Sequence, residues 1–148
     1  MNTIVWVHGD ALRIDSAAFR HTPGAPAIFV WDDVVIRGYG LSLKRLVFMY
    51  ECLLDLPLDI YRGDVATEVR GFAQRHAADT IVTMESVAPR FHHIVTELRQ
   101  THTVLVLADA PLVEAPAGVD LGRFSRYWQK IRPLLLKEAK QVRLFDDL

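Results

Sequence analysis

The sequence predicts an α/β fold: a Rossmann-like three-layer sandwich, with a five-stranded parallel sheet of order 3-2-1-4-5 and helices on both faces. Three observations predict it. Short apolar runs alternate along the chain with segments of helical period. The apolar runs are continuous rather than alternating, which suits strands covered on both faces. The segments between them are long enough to carry crossovers between parallel strands. Right-handed crossovers then put helices on both faces and leave the topological switch between strands one and four.

Strand one is Thr3-Ile4-Val5-Trp6-Val7, closed by His8-Gly9-Asp10. A short helix follows, with Asp15 or Ser16 as N-cap and Ala17, Ala18 and Phe19 in its first turns. Thr22-Pro23-Gly24 is turn chemistry. Strand two is Ala27-Ile28-Phe29-Val30-Trp31, closed by Asp32-Asp33; residues 34–40, with Gly38 and Gly40, read as a loop. Ser42 caps a helix to about Asp55, striped by Leu43, Leu46, Val47, Tyr50, Leu53 and Leu54 and stopped by Pro57. Strand three is Leu58–Tyr61. Asp64 caps a helix to about His76 that buries Val65, Val69, Phe72 and Ala73. Strand four is Thr80–Thr83, ending at Met84-Glu85. A helix from about Ala88 to Gln100 buries Phe91, Ile94, Val95 and Leu98, and strand five is Thr103–Leu107. The final helix spans about residues 123–140 and is split by Pro133. It mixes Phe124, Tyr127 and Trp128 with Arg123, Arg126, Lys130, Arg132, Lys137 and Lys140.

The 148 residues suit one domain able to bury a core without staples. With 17 basic and 18 acidic residues the net charge is -1, against a dedicated nucleic-acid binder. Cys52 is the single cysteine, so no internal disulfide forms and a cytosolic, reducing compartment is expected. The opening residues lack the basic and apolar regions of a signal peptide, and no run suits a membrane span.

On geometry, a ligand belongs in the crevice between strands one and four. His8, Gly9 and Asp10 line one side, and Thr83, Met84 and Glu85 the other. Asp10 and Glu85 accept hydrogen bonds from a ligand. His8 stacks or hydrogen-bonds, and Gly9 permits close backbone approach. The chain has neither G-x-G-x-x-G after strand one nor G-x-x-x-x-G-K-S/T, which disfavours a dinucleotide fingerprint and a phosphate-cradling loop. Asp32, Asp33 and Asp64 end strands on one sheet edge, where carboxylates suit magnesium, but N-capping is the better reading of Asp64 and no metal site is assigned. No nucleophile elbow or catalytic triad is present, so no catalytic residue is assigned.

The opening Val5-Trp6-Val7-His8-Gly9-Asp10-Ala11-Leu12-Arg13-Ile14-Asp15-Ser16-Ala17-Ala18 resembles the N-terminal signature of DNA photolyases and cryptochromes, roughly V-W-F-R-x-D-L-R-L-x-D-N-x-A-L. Trp6, Asp10, Asp15 and Ala18 match; the Leu-Arg pair is displaced by one, and Val7 and His8 replace the Phe and Arg. Leu58–Asp64 is similar to the family's L-x-V-x-x-G-D. Thr83-Met84-Glu85-Ser86 is similar to its N-x-E-Y turn, keeping only the acid. Gly122–Trp128 resembles the V-F-T-P-F-W segment that leads to the helical domain.

This resemblance implies a domain that holds a light-harvesting antenna: a folate, a deazaflavin or a flavin. It implies a function in light response or DNA repair. The family's FAD site belongs to a helical domain with no counterpart in these residues, so photorepair by this chain alone is not expected. It also implies a separate flavoprotein or helical partner, or a homodimer, met through Phe124, Tyr127 and Trp128. Two other readings are a non-catalytic interaction module and a nucleotide-binding stress-protein-like domain. Met84–Pro89 lacks the glycine-rich loop usual in the latter.

Overall fold

A computed structural model describes residues 2–138 apart from 112, 115 and 121. The chain divides after Asp109 into two units. The first holds β1 (Thr3–Val7), α1 (Ala17–His21), β2 (Ala27–Asp32), α2 (Asp33–Gly38), α3 (Leu43–Leu54), β3 (Asp59–Gly63), α4 (Val65–Arg75), β4 (Thr80–Met84), α5 (Pro89–Leu98) and β5 (Thr103–Leu107). The five strands form one sheet of order β3-β2-β1-β4-β5, and every neighbouring pair is parallel. The fold is the α/β Rossmann-like class that the alternating pattern predicts.

β1 sits at the centre because its residues are apolar on both faces. Ile4 and Trp6 join one buried cluster with Val65, Val69 and Phe72 of α4 and Phe91, Ile94 and Leu98 of α5. Val5 and Val7 join a second with Ala18 of α1, Phe29, Leu53 of α3 and Met84. The period-two alternation of side chains along a strand produces the two layers. The register holds Trp6 opposite Ile28 on one side and Thr83 on the other. Thr83, fully buried, donates its hydroxyl to the Trp6 carbonyl at 2.8 Å, so its polarity is satisfied within the sheet.

Residues 34–40, expected as a loop, begin in α2. The Asp32 carboxylate accepts from the Val34 N–H at 2.9 Å, which caps this short helix. Asp64 caps α4 in the same way, accepting from the Thr67 N–H at 2.9 Å. That bond holds its carboxyl below the ordinary range. On α3 only Leu53 of the expected stripe is fully buried; Leu43, Val47, Tyr50 and Leu54 are exposed. Ser42 caps α3 through the Arg45 N–H at 3.3 Å.

In the second unit, α6 (Phe124–Glu138) runs unbroken through Pro133, where the sequence led us to expect a split. A proline removes one N–H donor and can bend a helix without ending it. Phe124 stacks on Trp128 one turn later, with ring centroids 6.0 Å apart. Lys140, expected on this helix, lies outside the described residues. Among the described residues no helix is long and apolar enough to cross a membrane.

Candidate ligand-binding site

A cavity of about 380 Å³ opens at the C-terminal edge of β1 and β2. This edge of a parallel sheet is where ligands collect. Trp6, His8, Gly9 and Asp10 come from β1 and the turn after it; Trp31 and Asp32 come from the end of β2. Tyr39 and Leu41 approach from the α2–α3 connection, Arg45 and Met49 from α3, Ser86 and Ala88 from the β4–α5 connection, and Arg90 and Phe91 from the start of α5.

The structure brings His8, Gly9 and Asp10 together at this cavity, and leaves Thr83, Met84 and Glu85 outside its lining. Alternation along β4 turns Met84 away from the cavity side. Thr83 spends its hydroxyl on Trp6. Met84 points into the opposite layer, where its sulfur lies 3.2 Å from the Ala18 nitrogen. Glu85 is exposed, and its backbone N–H extends the β4–β5 pairing to the Leu107 carbonyl at 2.8 Å.

Two hydrogen bonds bridge the ends of β1 and β4, and the opening therefore falls on the β2 side of the switch point. His8 Nε2 lies 2.9 Å from the Met84 carbonyl. The Ser86 hydroxyl donates to Asp10 Oδ2 at 2.5 Å. A carbonyl only accepts, so His8 Nε2 carries the proton, and Nδ1 accepts from the Asp10 N–H at 3.3 Å. Both ring nitrogens are satisfied in the neutral form. Burial pushes the His8 pKa below its ordinary 6.5, outweighing the Met84 bond and the Asp10 charge. The ring packs 5.1 Å from Phe91, which stacks on Trp6 at 5.5 Å and 18°.

Arg90, at the start of α5, reaches across to Asp32 with both Nε and a terminal nitrogen, the latter at 3.0 Å from Oδ1. Asp32 thus caps α2 and anchors Arg90 at once, and its carboxylate keeps the guanidinium charged above its ordinary range. Asp33 pairs with Arg62 at 2.8 Å. Four carboxylates at this edge have partners: Asp32 with Arg90, Asp33 with Arg62, Asp64 with the α4 N-terminus and Asp10 with Ser86. At Gly9 an added Cβ would meet the flexible end of Met49 at 3.0 Å, so the close neighbour there is a side chain of α3.

The walls offer aromatic faces in Trp6, His8, Trp31, Tyr39 and Phe91, with two guanidinium groups, Arg45 and Arg90, and two carboxylates, Asp10 and Asp32, at the rim. That chemistry suits a flat, partly polar ligand held by stacking and a few directed hydrogen bonds. Sequence reasoning missed Trp31, Tyr39, Arg45 and Arg90. Ser86 carried a signal: it lies just past the end of β4, where the connection crosses the sheet edge.

No protein-family model and no curated protein matches the chain. Among solved structures it is similar to a bacterial class III photolyase from Agrobacterium tumefaciens. The TM-score is 0.60 and the sequence identity 18%, over 88% of this chain and 31% of that one. It is also similar to hypothetical protein MJ0577, with a TM-score of 0.46 and 14% identity over 74% of this chain and 97% of that one. The chain has a photolyase-like α/β fold and spans about a third of the length of that photolyase.

Proposed function

We propose that this chain binds an antenna-type or nucleotide-like aromatic ligand — a folate, a deazaflavin or a flavin — in the cavity at the ends of β1 and β2. The observation that carries the reading is the cavity itself: its walls are aromatic, and the polar groups at its rim are already oriented by Ser86 and Asp32. Pre-oriented groups lower the ordering cost of binding. In this reading Asp10 accepts from a ring N–H of the ligand, Arg90 and Arg45 meet its polar edge, and Trp6, Trp31 and Phe91 meet its faces. The photolyase-like fold supports a setting in light response or DNA repair. There the chain passes excitation to a flavoprotein partner, docked through Phe124, Tyr127 and Trp128 of α6.

The test is an absorbance spectrum from about 300 to 500 nm of protein purified from its native host, with mass spectrometry of the denatured supernatant; the window covers conjugated aromatic ligands of the kind this cavity suits. A stoichiometric pterin or flavin supports the reading. Asp10→Asn then weakens retention by about tenfold, the scale of one charge-assisted hydrogen bond. Val87→Ala, on an exposed loop residue outside the lining, leaves retention unchanged. A colourless protein that releases no small molecule sinks the reading in favour of an interaction module.

A further inference from the structure

We propose that the outer face of α3 is a homodimer surface, on which two copies of this chain pair their α3 helices antiparallel about a two-fold axis. The inference is independent of the ligand reading. Leu43, Val47, Tyr50 and Leu54 are 75%, 47%, 50% and 64% exposed. Their spacing of four, three and four residues is the seam of a coiled coil, so they form one continuous stripe. The adjoining side of the helix is already used, with Leu53 buried in the core. Four large apolar side chains in line on a solvent face mark an interaction site.

The stripe is complementary to itself. Turned about a two-fold axis at its midpoint, Leu43 of one copy meets Leu54 of the other, and Val47 meets Tyr50. The flanking charges obey the same operation. Lys44 and Glu51 each follow one position after a seam residue, both on the same flank, and both are exposed. Antiparallel pairing sets Lys44 of one copy beside Glu51 of the other, twice by symmetry. The helix is about 18 Å long, which puts the contact at the small end of specific interfaces. Association is therefore reversible and concentration-dependent.

The experiment is sedimentation velocity on the whole chain over a wide concentration range. The expected mass rises from 16.8 kDa toward twice that value. Lys44→Glu and Glu51→Lys each place two like-charged pairs across the contact, and each moves the midpoint of association up by about tenfold. An equimolar mixture of these two variants restores both pairs and dimerises at the wild-type concentration. This gain cannot come from misfolding. Trp128→Ala, on α6, leaves the dimer intact. A wild-type chain that stays monomeric throughout overturns the proposal. So do charge variants that associate like wild type, a mixture that shows no rescue, or a dimer lost in Trp128→Ala.

Discussion

His8 and Thr83 tie the centre of the sheet together through single hydrogen bonds. Thr83→Val keeps the shape of the side chain but leaves the buried Trp6 carbonyl without that donor. The expected loss is about 1–2 kcal/mol, read as a lower denaturation midpoint at unchanged slope. For His8 the folded pKa lies below the ordinary 6.5, so the unfolded chain binds more protons as pH falls past that value. The stability His8 contributes in its neutral form is thus present above pH 6.5 and declines below it until the folded ring itself protonates. His8→Gln keeps a donor for the Met84 carbonyl and cannot titrate. Melting curves across this range should show wild type losing stability more steeply than the variant. His8, Gly9 and Asp10 were legible in the sequence because they directly follow the first strand, and the end of that strand is a site edge in this class of sheet. Trp31, Tyr39 and Arg90 were not. Trp31 sits near the end of β2, while Tyr39 and Arg90 reach the cavity from the end of α2 and the start of α5, and one-dimensional spacing carries no information on where those helices cross the sheet edge.

The strands were the most legible elements, each marked by a continuous apolar run. α2 was hidden by Gly38 and Gly40, which read as loop while Asp32 was already acting as its cap. α3 shows a different limit. Its residues are apolar around much of the circumference, and periodicity alone does not say which stripe turns inward. Burial selects Leu53, leaving the Leu43–Leu54 stripe outside. α4 ends in a residue out of place. Ala77 has φ 48°, and the Ala78 N–H closes back on the Ala73 carbonyl at 2.9 Å, the arrangement that usually takes glycine. Ala77→Gly relieves the left-handed strain but adds freedom to the unfolded chain, for a net gain of about 0.5 kcal/mol. Chemical denaturation should show a higher midpoint; a lower one would mean that the Cβ packs usefully.

At the scale of the molecule, the sheet order follows from crossover handedness and the even covering of β1, both readable from the sequence. The position of the cavity does not. The switch point between β1 and β4 was the expected mouth, but the His8–Met84 and Asp10–Ser86 bonds bridge it, and the free volume lies toward β2. This placement has an optical consequence. Two of the chain's three tryptophans, Trp6 and Trp31, line the cavity, while Trp128 lies in the other unit. In a Trp128→Phe background every indole emitter then borders the ligand site. Any occupant absorbing in the near ultraviolet should quench that emission by energy transfer and give binding curves without a label. Titrating the variant with a reduced folate or a flavin should dim it in proportion to occupancy; emission indifferent to a ligand that co-purifies would place that ligand elsewhere. The aromatic walls thus make the chain a fluorometer for its own contents.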